Sequence, residues 1–404
     1  MFRNQRHLTG LSLLILFVVV CLSPVKASAQ TIARCGEGWL EKIDGYFVLH
    51  LKGTHYEMGY QHGVLLKEDV RKNMYNLLNE KGDTTLVDLG LVKLKPRQAI
   101  ETVIQIQKPY TPQKYVDEMR GVADGAGIAY EDVRATNFIP EMFHCSGFSI
   151  ANSATKDGTL YHGRVLDYAC DWGLQDHAVL VVAEPKGGIP FVNVSYAGFI
   201  GSVTGMNMKS VSIGEMGGRG LGHWSGVPMA FLVREVLETA KDLDEAIAVF
   251  RDNYRTCEYY YVIADGKTNR SVGMATSWEK LELIQPGESH PLLPNPVQDA
   301  ALLSAGDRYK ELSKRVKDGY GSFTAESAIE LMSRPVAMKS NLHNVLFEPK
   351  TTKLWVANAS SDGKPAANQK YFSFQLSELL KRKPDAKAPA YPMPVDQAVS
   401  QKTK

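Results

Sequence analysis

The order of residue patterns along the chain predicts an α+β fold, two sheets packed on one another with helices outside. Three observations carry that expectation. Apolar residues recur mainly at helical spacing up to about residue 145. Beyond it, short alternating runs dominate, interrupted by helical stretches and then resumed. The composition is that of a globular protein with a sizeable core: 404 residues, 46 Lys and Arg against 44 Asp and Glu, and 44% hydrophobic residues. This excludes disordered, collagenous and coiled-coil chains, and the formal charge of +2 gives no reason to expect nucleic acid.

The first residues read as a targeting segment rather than part of the fold. Arg3, Arg6 and His7 precede an apolar run from Leu11 to Leu22, followed by Ala27-Ser28-Ala29. This is the order of a secretory signal peptide, residues 1–29, with cleavage after Ala29. The run is short for a membrane span of about 20 residues. A retained anchor is the alternative, and lipid attachment at Cys21 is disfavoured because Val20 precedes it. Removing the segment takes away Arg3, Arg6 and Lys26 and no acidic residue, so the slight basicity belongs to it. The expectation is an exported protein, periplasmic or secreted, with no stable membrane insertion once the signal is gone. Cys35, Cys145, Cys170 and Cys257 would then meet an oxidising environment. One bridge among Cys35, Cys170 and Cys257 and a set of buried unpaired thiols are equally compatible with the sequence.

In chain order, residues 46–52 alternate like a strand, and Tyr56–Glu80 carries Met58, Leu65, Leu66, Val70, Met74, Leu77 and Leu78 at helical spacing. Further helices are expected over Gln98–Ile106 and Pro112–Ala126, so residues 30–144 form a mainly helical segment. Strands are expected over Phe148–Ala151, Thr159–His162, Ala178–Ala183, Phe191–Tyr196 and Ser210–Gly214, punctuated by Gly, Asp and Asn. Pro228–Ala240 reads as a helix with Pro228 in its first turn. Asp242 and Glu245 form a capping-box pair for the next helix, to about Phe250. Strands return at 258–264, 270–275 and 281–284. Residues 307–316 and 324–333 read as helices, with Thr324 as N-cap. Strands at 344–347, 354–356 and 372–374 close the 145–383 core. The Pro-, Ala- and Lys-rich residues 384–404 are expected to be a loose tail.

The segment that carries chemistry is 144–168, HCSGFSIANSATKDGTLYHGRVLDY. Cys145 stands at the mouth of a strand, unlike a thiol activated by a helix N-terminus. If residues 145–152 and 159–166 pair around the Lys156-Asp157-Gly158 turn, Arg164 and Asp167 return to the end that holds Cys145. A cation beside a thiol favours the thiolate, and a carboxylate can orient an amine or guanidinium. Other polar clusters point elsewhere. His55, Glu57 and His62 lack the i, i+4 pairing of a helical zinc motif and read as packing residues. Gly214–Gly222 lacks both phosphate-binding glycine patterns and reads as a mobile loop over a pocket. Trp224, Tyr259, Tyr260 and Tyr261 read as core or pocket wall.

The 144–168 segment resembles the nucleophile region of N-terminal-nucleophile hydrolases, specifically the acyl-coenzyme A:6-aminopenicillanic acid acyltransferase family, related to choloylglycine hydrolases and acid ceramidase-like amidases. The shared pattern is a cysteine, a Thr/Lys-x-Asp-Gly turn (here Thr155-Lys156-Asp157-Gly158) and Gly163-Arg164-x-x-Asp167. Four further blocks follow the family's order: Gly53-Thr-His-Tyr-Glu-Met-Gly59-Tyr-Gln-His-Gly63, Gly205-Met-Asn207 through Glu215, Tyr259 through Asp265, and His343 through Phe347.

The resemblance implies a four-layer αββα sandwich and self-cleavage between His144 and Cys145. It implies Cys145 as nucleophile, with its freed α-amine as base. Arg164 would position substrate and thiol, Asp167 would hold the amine, and Asn207 or its backbone would help build the oxyanion hole. Glu215 would take part in processing or positioning. No cofactor and no metal is implied. The partner is a small N-acyl compound whose linear amide bond is cleaved or whose acyl group is transferred; the oligomeric state is left open. The family often has a small residue where His144 stands, and its second oxyanion Asn falls near Ser289 or Asn295 here, or is missing. A binding protein on the same scaffold without catalysis, and an active thiol in an uncut chain, are the alternative readings.

Overall fold

The computed structural model describes residues 29–81, 87–88, 93–139, 145–168, 170–218 and 222–394. The expected signal segment up to residue 28, His144 and residues 395–404 lie outside them. The chain opens with three strands, β1 (Ala29–Cys35), β2 (Gly38–Ile43) and β3 (Tyr46–Gly53). Helices α1 (His55–Leu65) and α2 (Lys67–Tyr75) follow, with a π-helical turn over Asn76–Lys81. A two-stranded ribbon, β4 (Val87–Asp88) and β5 (Lys93–Leu94), precedes α3 (Pro96–Gln107), α4 (Gln113–Ala126) and α5 (Tyr130–Asn137).

Strands then dominate: β6 (Ser146–Asn152), β7 (Gly158–Asp167), β8 (Ala178–Pro185), β9 (Phe191–Tyr196), β10 (Thr204–Asn207) and β11 (Val211–Gly217). Helices α6 (Met229–Thr239) and α7 (Leu243–Arg251) separate these from β12 (Tyr259–Asp265), β13 (Arg270–Thr276), β14 (Leu281–Ile284) and β15 (Ala300–Leu303). Helices α8 (Gly306–Asp318) and α9 (Ala325–Glu330) lead to β16 (Asn341–Glu348), β17 (Lys353–Asn358) and β18 (Phe372–Gln375). A short α10 (Leu376–Leu379) and β19 (Ala390–Tyr391) end the described chain.

These strands form the two expected sheets. One runs β14-β13-β12-β11-β10-β9-β8-β3-β2-β1-β19, the other β15-β6-β7-β16-β17-β18. Period-2 alternation divides each strand between layers. In β8, Val179, Val181 and Ala183 join the cluster that includes Met58, Val122, Phe231 and Val236 of the helices, whereas Leu180 and Val182 face Val345, Phe347 and Leu354 of the other sheet. Leu312, Val316 and Ala328 of α8 and α9 cover the second sheet from outside. The result is a four-layer αββα sandwich.

Residues 30–144 are less purely helical than their apolar spacing suggests, because β1, β2 and β3 build into the large sheet. Their buried side chains do not follow a clean alternation: Gly38–Glu41 are all buried. The long helix expected over Tyr56–Glu80 is broken at Leu66, whose backbone leaves the helical region. The first part of the glycine-rich 214–222 stretch is the end of β11 rather than a loop. The tail is also not loose as far as residue 394. β19 pairs in parallel with β1, Arg34 donates to the Ala386 carbonyl at 2.8 Å, and the Asp385 amide donates to Thr31 Oγ1 at 3.0 Å. Backbone pairing with a sheet edge overrides the loop-forming composition.

The block Gly53–Gly63 is scaffold. Thr54 caps α1 with Glu57 in a capping box. Gly59 and Gly63 lie against Gly121 and Gly125 of α4, where an added Cβ would come 2.0–2.4 Å from the facing backbone oxygens. Only glycine permits so close a crossing. Gln61 satisfies both backbone groups of Lys52, and His62 Nε2 accepts from the Gly198 amide at 2.9 Å.

Candidate active site

The hairpin expected around Lys156-Asp157-Gly158 is present, with Ser146 opposite Val165 and Gly147 opposite Arg164. That register returns Leu166 and Asp167 to the end where Cys145 enters β6. Cys145 is buried and lines a cavity of about 390 Å³. Met216, Tyr260, Ile284, Leu293 and Leu303 give this cavity apolar walls, with Glu258, His290 and Ser304 among its polar groups. Cys35, Cys145, Cys170 and Cys257 are all free thiols. The bridge the sequence allowed among the other three is therefore absent among the described residues.

Arg164 and Asp167 take different partners. Three residues apart on a strand, they project from opposite faces. Arg164 projects toward the large sheet, where its stem lies over Gly214. A Cβ at that position would come 2.8 Å from Arg164 Cδ. The guanidinium passes this bare position, and its Nη2 stands 3.6 Å from Glu215 Oε2, both side chains fully buried. His162 and His343 lie in the same layer. Burial first, then the Arg164 charge, holds His162 down to about 3 and His343 well below its ordinary value. Both stay neutral and bond hydroxyls: His162 Nδ1 with Ser212 Oγ at 2.8 Å, His343 with Tyr196 and Thr204 at 2.9 and 3.0 Å.

Asp167 projects toward α8. It pairs with Arg308 and accepts from the Met338 amide at 2.9 Å. Arg308 Nη2 also donates to Ser146 Oγ at 2.6 Å, and Ser146 bonds Ser304 at 2.7 Å. Arg308 thus ties the residue after Cys145 to the end of β7. Burial pushes the Asp167 carboxyl up to about 6, against the opposing pull of Arg308 and the Met338 amide.

Asn207 is not brought to this group. Met206 pairs with Ser212, which puts Asn207 at the turn end of the β10–β11 hairpin. That is about 10 Å along the ladder from Gly214, at roughly 3.4 Å per residue. Its amide is already occupied: Nδ2 donates to the Leu237 and Ala240 carbonyls at 3.1 and 2.8 Å, and Oδ1 accepts from the Lys209 and Val211 amides at 3.0 and 3.1 Å. It is a structural tie between the hairpin and the end of α6, not an oxyanion donor. Neither Ser289 nor Asn295 lines the Cys145 cavity. The Asn295 backbone N–H donates to the Tyr309 hydroxyl and its backbone carbonyl accepts from Ser313 Oγ. Sequence reasoning missed Ser146, Ser304 and Arg308. Asp307-Arg308 follows β15 closely in sequence, but nothing local marks that arginine as a partner of Asp167.

Residues 153–362, just over half of the chain, match the family described as acyl-coenzyme A:6-aminopenicillanic acid acyl-transferase. The chain belongs to this family. The matched span begins after Cys145 and contains Arg164, Asp167, Glu215 and Arg308. Membership makes the protein an amidase or acyltransferase of the N-terminal-nucleophile type. Among curated proteins, it is 25% identical to Protein dcd1A of Dictyostelium discoideum, over 78% of this chain and 79% of that one. It is 24% identical to the N-acylethanolamine-hydrolyzing acid amidase of Rattus norvegicus, over 45% of this chain and 52% of the amidase; the match thus spans about half the amidase's length. Among solved structures, it is similar to the Caenorhabditis elegans ortholog of that amidase, with 21% identity, a TM-score of 0.42, and coverage of 51% of this chain and 93% of that one.

Proposed function

We propose that this protein is an exported, self-processing cysteine amidohydrolase that cleaves the amide bond of a small N-acyl compound. The observation that carries the reading is the placement of Cys145. It stands at the start of a hairpin, on the wall of an apolar cavity, and the same hairpin's register brings Arg164 and Asp167 back to that end. The chain would cut itself between His144 and Cys145 into residues 30–144 and 145–404. The freed α-amine has a reference pKa of about 7.7–8.0, so it exchanges protons near neutrality.

In the proposed cycle the Cys145 sulfur attacks the amide carbonyl while its proton passes to the α-amine. The C–N bond then breaks, the proton goes to the departing amine, and an acyl thioester remains. Water, deprotonated by the same amine, attacks the thioester and releases the acid and the thiol. Asp167 holds the α-amine, and Arg164, with Glu215 behind it, supplies positive charge beside the reacting centre. The apolar walls suit a hydrophobic acyl group, in keeping with relatives named N-acylethanolamine-hydrolyzing acid amidase and acid ceramidase. Export favours water over a cytosolic thioester donor, and so hydrolysis over transfer.

Intact-mass measurement tests the reading. Purified protein should give two fragments that begin near residue 30 and at Cys145, and Cys145→Ala should give one uncut, inactive chain. An uncut wild-type chain that still turns over N-acyl substrates overturns self-processing. Unchanged activity in Cys145→Ala overturns the mechanism.

A further inference from the structure

A second buried charge cluster lies away from Cys145, where α1 and α4 meet α6. Arg234 of α6 donates through both terminal nitrogens to Glu118 of α4, at 3.1 and 2.9 Å, and its Nε stands 2.7 Å from Glu238. Glu238 also meets His55 of α1 at 3.2 Å and Lys114 of α4 at 2.8 Å. Lys114 reaches Glu235 at 2.6 Å, and the Tyr115 hydroxyl donates to Glu235 at 3.0 Å. His55, Glu118 and Glu238 bring possible metal-ligating atoms within 4.8 Å of one another. The guanidinium and the ammonium already supply the cationic charge there, so the cluster reads as an ion network, not a metal centre.

Its partition along the chain is the telling feature. His55, Lys114, Tyr115 and Glu118 precede residue 144, whereas Arg234, Glu235 and Glu238 follow residue 145. Apart from the Arg234–Glu238 pair within α6, every contact just described crosses between the two proposed fragments. The loop after β9 repeats the pattern. Asn73 donates to the Ala197 carbonyl at 2.8 Å, Asn137 donates to the Gly198 carbonyl at 2.9 Å, and the Ile200 amide donates to Asn137 at 2.8 Å.

We infer that the α6 cluster is the lock that holds the two fragments in register after the 144–145 peptide is broken; the inference rests on the proposed cleavage. The surface presented by Arg234, Glu235 and Glu238 has as its partner the α1–α4 face of the same chain's N-terminal fragment. Cutting removes the tether and with it the high effective concentration of one fragment at the other. Apolar contact between helices is non-directional, whereas a slipped helix here leaves a charge buried without its counterion. The parallel pairings β3–β8 and β1–β19 give the fragments a shared sheet. The ion network gives the helices above it one allowed position.

The test compares cut and uncut protein. Processed wild type and processed Lys114→Met and Glu118→Gln variants are followed by native mass spectrometry and size exclusion in rising urea. The same substitutions are placed in the uncut Cys145→Ala chain. The lock predicts that both variants release the 30–144 fragment at clearly lower urea than processed wild type, with midpoint shifts larger in the cut than in the uncut form. Equal shifts in both forms overturn it, as does release at the wild-type urea concentration. If wild type does not cut itself, a specific protease site replacing residues 140–144 in the Cys145→Ala chain supplies the break, so failure of self-processing and failure of the lock are read separately. Lys114 is part-exposed, so Lys114→Met provides the measurement if Glu118→Gln does not fold.

Discussion

Arg164 and Arg234 are both buried arginines with carboxylate partners, and they are held in different ways. Arg234 is gripped. Its fork is bidentate to Glu118, Glu238 adds a third contact, and the rings of Tyr115 and Phe191 lie 5.7 and 4.7 Å from the guanidinium. Burial pushes Glu238 up, but Arg234, His55 and Lys114 together outweigh it and bring the carboxyl to about 2. Arg164 instead lies on the hairpin that carries Cys145, 3.6 Å from Glu215, and its charge bears on the neutral His162 and His343. Burial with a counterion therefore does not separate scaffold from chemistry. What sets Arg164 apart is the hairpin it shares with Cys145.

The largest effect is expected at Arg164. Arg164→Met should lower kcat/KM by about 10²–10³-fold, the usual cost of losing a charge that stabilises a transition state. Steady-state kinetics on an N-acyl substrate panel reads this, and a loss under tenfold would return Arg164 to the scaffold. Arg234→Met should do the reverse. It leaves Glu118 and Glu238 short of a counterion at a cost of about 3–5 kcal/mol in urea unfolding, while kcat of the folded fraction stays near wild type.

Smaller effects are expected at Gly214, Asn207 and Asp167. Gly214→Ala places a Cβ against the Arg164 stem and should cost about 1–3 kcal/mol. Activity should fall further than stability accounts for, because the guanidinium is displaced; an activity loss explained by unfolding alone would count against that. Asn207→Ala should destabilise by about 1–3 kcal/mol through its unpaired backbone partners and leave kcat within a few-fold. A hundredfold loss of kcat in folded protein would restore the oxyanion role. The smallest effect is in the pH profile. Asp167 is charged above about 6, so kcat/KM should fall as pH drops through that value. Asp167→Asn should remove this acid limb and lower the plateau.

The hairpin was legible because it is local. Alternation on either side of a Lys-Asp-Gly turn defines both strands and the register that returns Arg164 and Asp167 to Cys145. The helices α3, α4 and α8 were legible from apolar spacing for the same reason. The strands β1 and β2 were not: Gly38–Glu41 of β2 are all buried, and β1 opens with exposed and half-buried residues up to Ile32, so neither shows a clean alternation along its length. The partners within the site were also out of reach. Asp167 meets Arg308 across 141 residues of chain, and Arg164 meets Glu215 rather than the Asp167 of its own motif. Asn207 stands within a recognisable block, yet its amide is consumed in holding a turn and the end of α6.

Local commitments were readable in the sequence: layered α+β order, the Cys145 hairpin, the helix caps at Asp242 and Thr324, and the motif order that marks the family. These depend on backbone propensity and side-chain period within a few residues. The tertiary structure alone decided which buried charges meet, how the first three strands join the large sheet, and that a cavity opens at Cys145. Those outcomes arise where two sheets and their helices pack, because a buried charge takes whichever counterion the packing brings within reach.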